Sequence, residues 1–240
     1  TLSLHDALPI LYTFNYITLI KEDRIMTNLE RAQSAVKILK EIYPTASCSL
    51  IYNTPLEFLI SIRLSAQCTD ARVNSVTPAL FSKFKNLEDF ASAKPEELEK
   101  YIYSCGFYKI KSKDIVNMCQ IIKKNFKGKI PDNLRDLTSL PGIGRKTANL
   151  FLGEMFNRPA IIVDTHFIRI TKRLGFHNSK NAIQIENIMK NLIYPPDMID
   201  FCHRVIAHGR TICTARSPKC NDCHLKNICN YFVNNIDNKP

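Results

Sequence analysis

Hydrophobic and polar positions follow a helical period along most of the chain. Apolar residues recur at intervals of three or four in segments such as 28–43, 111–128 and 165–175. No segment sustains the two-residue alternation that is typical of a half-buried strand. The pattern predicts an all-α fold, with helices over residues 28–43, 54–67, 94–106, 111–128, 131–140, 145–157, 165–175, 181–193 and 197–208.

Capping residues support several of these helix ends. Thr54, Pro55 and Glu57 predict a capping box with proline in the first turn. Gly106 and Gly128 each follow the end of a helical segment, as helix-terminating glycines do. Helices of this length joined by short polar turns predict a compact helical fold without a long linker.

The apolar stretch 7–20 stands apart from this pattern. It is shorter than the roughly 20 residues that span a bilayer, and neither a basic segment before it nor a small-residue cleavage site after it indicates a secretory signal. Residues 1–10, TLSLHDALPI, overlap this stretch and match the translation of a sequencing-library adapter. We therefore expect residues 1–25 to be a non-native leader without a fold, with the natural start near Met26.

Charge and cysteine content narrow the function. The 240 residues carry a net charge of +11, which indicates a polyanionic partner, most commonly nucleic acid, although a solvated basic surface is the alternative. The chain has nine cysteines and no export signal. This combination predicts a reducing compartment rather than a disulfide framework.

The stretch LPGIGRKTAN, residues 140–149, joins two predicted helices through a glycine-rich turn. A nucleotide P-loop needs glycine directly before its lysine, but Arg145 occupies that position, and no third glycine completes a dinucleotide fingerprint. Gly142 and Gly144 would let a phosphodiester approach the backbone, and the next helix would offer free N–H groups and its positive dipole end. We favour a phosphate-binding hairpin over a plain corner between two helices.

Chain geometry predicts that Asp164 lies beside Lys146. An aspartate before a helix is usually only an N-cap. Here, however, a helix over 145–157 carries the chain about 20 Å away from Lys146, and the extended connector 158–163 brings it back by about 20 Å. An amine and a carboxylate would then meet at a phosphate-binding turn.

This pair suits attack on a sugar C1′. The helix dipole favours a neutral, nucleophilic amine at Lys146, whereas Asp164 and DNA phosphates favour the ammonium. The carboxylate can stabilise a developing cationic sugar or move protons. A mere phosphate clamp remains the alternative role for Lys146.

Four cysteines near the C-terminal end have the spacing C-x6-C-x2-C-x5-C, at Cys213, Cys220, Cys223 and Cys229. Structural zinc usually has two short cysteine pairs, and only one C-x2-C is present. The spacing therefore favours an iron–sulfur cluster, with a zinc site as the alternative. The six-residue loop carries Arg216 and Lys219, which predicts a basic loop that faces DNA.

The hairpin, the VDTH segment at 163–166 and the cysteine spacing, in this order, resemble the endonuclease III family of helix-hairpin-helix DNA glycosylases. The resemblance covers about residues 27–230. It implies two helical domains that flank a DNA-binding cleft: a six-helix domain over 48–158, with the helix-hairpin-helix at about 132–157, and an iron–sulfur domain formed by 26–47 and 159–240.

The resemblance also implies roles for individual residues. Lys146 would be the Schiff-base nucleophile, Asp164 the catalytic carboxylate, and the four cysteines the ligands of a [4Fe-4S] cluster. Gln67 in LSAQCTD would fill the gap left by an extruded base, and Phe107 in GFYKIK, where the family often has leucine, would wedge the opposite strand. The further expected DNA contacts are Gly142, Ile143, Gly144, Arg145, Thr147, His166, Arg216 and Lys219.

The implied function is base excision repair. The protein would act as a monomer in the cytoplasm, on the nucleoid, with no membrane association. It would remove damaged bases from double-stranded DNA, with oxidised pyrimidines as the family expectation, and cut abasic sites by β-elimination. The alternatives are a monofunctional glycosylase, in which Lys146 only binds phosphate, and a DNA-binding module without catalysis.

Overall fold

The computed structural model describes residues 26–234, a range that contains only helices and connecting segments. The all-α prediction is therefore confirmed, whereas the predicted leader 1–25 lies outside the described residues. Within this range, no helix is both long and apolar enough to cross a bilayer. In chain order the helices are α1 (Asn28–Ile42), α2 (Pro55–Ser65), α3 (Asp70–Lys83), α4 (Leu87–Ser92), α5 (Pro95–Ile102), α6 (Tyr108–Asn125), α7 (Leu134–Thr138), α8 (Arg145–Phe156), α9 (Thr165–Leu174), α10 (Ala182–Leu192), a 3-10 turn (Pro195–Asp197), α11 (Met198–Thr211), a second 3-10 turn (Lys226–Ile228) and α12 (Asn230–Phe232).

Side-chain caps fix several helix starts. Thr54 caps α2 by accepting a hydrogen bond from the backbone N–H of Glu57. In the predicted capping box, the Glu57 carboxylate would accept from the N–H of Thr54. It accepts instead from the N–H of Asn53, one residue earlier, at 2.6 Å. The helix predicted over 131–140 begins at Leu134, because Asn133 is its cap.

Two helices, α3 and α4, were not among those predicted from the sequence. The buried face of α3 consists of Val73, Thr77 and Leu80, so a polar residue interrupts its apolar spacing. Pro78 also lies inside this helix, where proline is normally disfavoured. α4 has six residues, which is too short to show a helical period.

Buried apolar residues form two clusters. The first cluster draws on α2 to α8 and includes the stacked rings of Phe58 and Phe151. The second draws on α1, α9, α10 and α11, and α1 packs against α10 and α11 despite its distant place in the chain. Leu150 of α8 packs partly against both clusters. Leu150 therefore lies where the two clusters adjoin.

Candidate active site

The turn between α7 and α8 requires glycine at position 142. Gly142 has φ +74°, a left-handed conformation that side chains rarely adopt. A Cβ there would lie 2.1 Å from Nε of Arg63 and 2.8 Å from a carboxylate oxygen of Asp114. Arg63 of α2 and Asp114 of α6 form a largely buried ion pair at 2.6 Å. The hairpin turn therefore rests on this pair, and no larger residue fits.

Gly144 has a different role in the turn. Its backbone is extended, and a Cβ would meet no atom within 4 Å. It is the N-cap of α8 and provides no side chain to accept from the first N–H groups of the helix. Open space in front of uncapped N–H groups is the arrangement that a phosphate oxygen can occupy.

Lys146 and Asp164 line one cavity of about 300 Å³. Lys146 is exposed in the first turn of α8, and Asp164 directly precedes α9. The connector between the two helices is held against α8, because the buried Asn149 amide donates to the Ile161 carbonyl at 3.1 Å. This contact explains how the chain returns to the start of α8.

Asp164 is an N-cap as well as a cavity residue. Its Oδ1 accepts a hydrogen bond from the N–H of Phe167 at 2.7 Å, which caps α9. Within residues 26–234, no hydrogen bond involves its second oxygen. The same half-buried carboxyl can therefore cap a helix with one oxygen and present the other to the cavity.

Several cavity residues were missed by the sequence analysis. They come from the connector before α2 (Ser47, Cys48, Ser49), from Cys68 and Asp70 near the start of α3, and from His203 and Arg210 of α11. Asp70 accepts a hydrogen bond from Ser49 at 2.5 Å and lies 3.7 Å from Arg210. His203 Nε2 lies 2.5 Å from a carboxylate oxygen of Glu154. No local pattern shows which face of α11 borders α8, so the sequence could not indicate His203 and Arg210.

Gln67 and Phe107 share an unusual backbone conformation. Their φ angles are +53° and +58°, and both side chains are exposed, Phe107 by 62%. Left-handed residues other than glycine are uncommon and concentrate at functional sites. Tyr103 and Ile110, also exposed apolar residues, flank Phe107 along the chain and were not predicted.

The other hairpin residues differ in what they can offer a ligand. Ile143 is buried in the first cluster, so only its backbone can reach a ligand. Thr147 is half-buried, and His166 contacts Arg169 through Nδ1 at 3.2 Å. The Arg145 guanidinium makes a bidentate contact with Glu186 of α10, at 2.7 and 3.0 Å, so two of its five N–H donors already face protein.

Glu186 is almost fully buried between two cations. Burial alone would raise the pKa of its carboxyl, but hydrogen bonds from Arg145 and Lys190 and their charges outweigh burial and lower the pKa. Hydrogen bonding to Glu186 also raises the pKa of Arg145. The start of α8 is thereby joined to α10 of the second cluster by a charged pair.

The four cysteines of the C-terminal spacing line a second cavity. Two arginines of α9 hold the loop: Arg173 donates to Cys213 Sγ at 3.2 Å and to the Thr214 carbonyl at 2.8 Å, and Arg169 donates twice to the Cys213 carbonyl. Arg216 and Lys219 are exposed on the same loop.

The donor set of this cavity differs from that of a single-ion site. In the part of the chain that the structure describes, no three His, Cys, Asp or Glu side chains converge on one point as a metal ion requires. Burial, followed by the proximity of the other thiols, raises the pKa of Cys223 to about 11. All four thiols of the C-terminal spacing nevertheless border one cavity.

Comparison with known proteins places this site in a class. Residues 60–195 match the model of the HhH-GPD superfamily of base excision DNA repair proteins. The chain is 42% identical to endonuclease III of Synechocystis sp. over 86% of its length and 94% of the relative's. It is 38% identical to endonuclease III of Bacillus subtilis over 85% of its length and 94% of the relative's. The chain belongs to the endonuclease III family within this superfamily.

A solved structure gives the same result for the fold. The chain superposes with a TM-score of 0.81 and 36% identity on a structure described as a trapped endonuclease III–DNA covalent intermediate in an estranged-adenine complex. The match covers 88% of this chain and 99% of the other. The resemblance inferred from the hairpin, the VDTH segment and the cysteines is confirmed.

Proposed function

We propose that this protein is a bifunctional DNA glycosylase and AP lyase of base excision repair. The observation that carries the proposal is the placement of Lys146 and Asp164 on one cavity, directly beside the uncapped start of α8. A similar fold has been captured covalently joined to DNA. The substrate would be double-stranded DNA with a damaged base, oxidised pyrimidines being the class expected for this family, or with an abasic site.

The proposed reaction begins at the Lys146 amine. Nζ attacks C1′ of the damaged nucleotide, the C1′–N bond to the base breaks, and the base leaves with a proton. Asp164 uses the oxygen that does not cap α9 to stabilise the cationic sugar and to move protons. The C1′–O4′ bond of the sugar then opens as the amine loses a proton and O4′ gains one, which gives the Schiff base. Loss of a C2′ proton from this Schiff base breaks the C3′–O bond and releases the 3′ phosphate, which cuts the strand.

In the proposed complex, one set of residues contacts the DNA backbone and another set contacts the region of the lesion. Gly142 and Gly144 would hold a phosphate against the hairpin, with Thr147 and His166 nearby and Arg145 contributing through its backbone N–H. Gln67 and Phe107 would enter the duplex, and Arg216 and Lys219 would meet phosphates from the cysteine loop. Because phosphate contacts release counterions, binding would weaken steeply as salt rises.

We assign a [4Fe-4S] cluster to Cys213, Cys220, Cys223 and Cys229. The four cysteines share one cavity, and their spacing, with only one C-x2-C, favours a cluster over zinc. When bound, the cluster would cross-link the irregular loop and neutralise the four thiolates. The chain would form two domains that correspond to the two apolar clusters. One domain would consist of 48–158, and the other of 26–47 together with 159–240. The protein would act as a monomer on the nucleoid, in a reducing cytoplasm.

Borohydride trapping on an abasic duplex tests the proposed function. Wild type is expected to form a covalent protein–DNA adduct, and Lys146→Ala is expected to form none. Lys37→Ala, which removes an exposed lysine of α1, is the matched control and should trap like wild type. An adduct with Lys146→Ala at wild-type yield would place the Schiff base on another amine and leave Lys146 to phosphate binding; no adduct with wild type would leave a monofunctional glycosylase.

A further inference from the structure

Lys111 of α6 is a buried lysine whose role neither the hairpin nor the cavity explains. Its side chain is 1% exposed, and no ion pair joins it to a carboxylate in the described range. Its Nζ donates to the backbone carbonyls of Leu64 at 2.7 Å and Cys105 at 3.3 Å. Burying an ammonium is costly unless its hydrogen bonds are well placed, so this arrangement calls for an explanation.

The two carbonyls belong to two different loops. Leu64 lies in the last turn of α2, three residues before Gln67, and Cys105 lies two residues before Phe107. The two loops also lie next to each other, since a Cβ added to Gly106 would be 3.9 Å from the Gln67 carbonyl oxygen. Lys111 is therefore the polar tie between the segment that ends at Gln67 and the segment that ends at Phe107.

Both loops end in a left-handed residue. Such a conformation persists only where the surrounding structure enforces it, since it costs on the order of 1 kcal/mol or more for a residue with a side chain. An ammonium has three donors and can bind two carbonyls at once, whereas a neutral apolar side chain can bind neither. The lysine thus holds the backbone three residues before Gln67 and two residues before Phe107.

We propose that Lys111 is a positioning residue that couples the gap-filling loop, 64–67, to the wedge loop, 105–107. Through this tie the two side chains enter the duplex as one rigid unit, and extrusion of the damaged base is the step that depends on it. The inference rests on the proposed glycosylase function. It adds a residue that touches neither DNA nor the reacting atoms.

The test compares substrates that differ in the cost of extrusion. Lys111→Met keeps the apolar stem and removes the donors, and Lys113→Met on the exposed face of α6 is the matched control. Loss of hydrogen bonds from a charged donor is expected to slow excision of a paired lesion about tenfold or more. The defect should shrink to about twofold for the same lesion in a bulge, where little stacking must be broken.

A double-mutant cycle covers the case in which Lys111→Met does not fold. Gln67→Ala and Phe107→Ala should be strongly non-additive for excision in wild type, and additive in Lys111→Gln, whose shorter, uncharged amide cannot reach both carbonyls. Equal coupling in both backgrounds, or an equal Lys111→Met defect on paired and bulged lesions, would overturn the inference. A wild type that excises neither substrate would instead overturn the proposed function.

Discussion

The hairpin cavity and the cysteine loop place reactive side chains by different means. Lys146 and Asp164 each lie at the start of a regular helix, and caps, helix length and a six-residue connector determine where they meet. The four cysteines lie on irregular backbone that is held by Arg169 and Arg173. The folded chain alone places Lys146 and Asp164 on the hairpin cavity. The cysteine loop brings together thiols whose charged forms repel one another.

The difference teaches which site needs a bound group. Regular elements position a side chain without outside help, because their hydrogen bonds are internal. We expect the irregular loop, whose four thiols border one cavity, to be stabilised when a bound metal centre compensates the charge of the thiolates. Substitutions at the cavity should therefore change chemistry with little change in stability, and substitutions at the loop should do the reverse.

The largest expected effect comes from Asp164→Asn. Asparagine caps a helix about as well as aspartate, so the free energy of unfolding should change by less than about 0.5 kcal/mol. Excision should fall by about 10²–10⁴-fold, because the amide cannot take a proton or stabilise a cationic sugar. Single-turnover kinetics and urea unfolding measure the two quantities; Asp164→Ala, which also loses the cap, should be less stable. If Asn retained wild-type excision, Asp164 would be a cap and no more.

The cysteine loop should show the opposite balance. Cys220→Ser is expected to abolish the iron–sulfur absorbance and the bound iron, and to destabilise the fold by about 4 kcal/mol, as loss of a metal centre does. At this size, that corresponds to a thermal midpoint lower by roughly 8–16 °C. Cys48→Ser, outside the loop, should keep the absorbance. Zinc in place of iron in the wild-type protein would contradict the cluster assignment.

A smaller effect is expected where the hairpin is joined to α10. Glu186→Gln leaves Arg145 and Lys190 without their anion, but these cations are 39% and 33% exposed and can be solvated, so the loss should be about 1–2 kcal/mol at pH 7. The pKa of Glu186 is lowered below its ordinary 4.5, so its stabilisation is present above about pH 4.5 and is lost as pH falls through the folded-state value. Urea unfolding of both proteins across this range should show the difference shrinking in acid. A difference that grows in acid would contradict the assignment.

The smallest effect is expected just beyond the other end of α8. Arg158 and Asp132 form an ion pair at 2.7 Å in which both side chains are more than half exposed. Arg158→Ala should change the free energy of unfolding by no more than about 0.5 kcal/mol, because water and salt screen exposed pairs. It is the matched reference for Glu186→Gln, and equal losses in the two variants would show that burial of Glu186 adds nothing.

Much of this architecture could be predicted from the sequence, and the failures have identifiable causes. The all-α class followed from apolar spacing, and the placement of Lys146 and Asp164 on one cavity followed from helix rise and connector length. The helices α3 and α4 were missed because a buried threonine, an internal proline and short length hide their period.

Contacts distant in sequence were harder to predict. Arg145 binds Glu186 across 41 positions, and Arg173 binds the cysteine loop across 40 or more. Both depend on how α8, α9 and α10 pack, which no local pattern encodes. The hydrogen bonds from Lys111 to two loops were not predicted either, because a lysine on an amphipathic helix is usually solvated.

The two oxygens of Asp164 have a consequence for how such a protein can change over time. Because one oxygen serves the fold and the other serves the proposed reaction, exchange for asparagine would leave the folded population intact while removing the chemistry. Selection for stability alone would not detect that exchange. A chain altered in this way would still grip its lesion and would obstruct repair by an intact copy, so one conservative change could convert a repair enzyme into a competitor of repair.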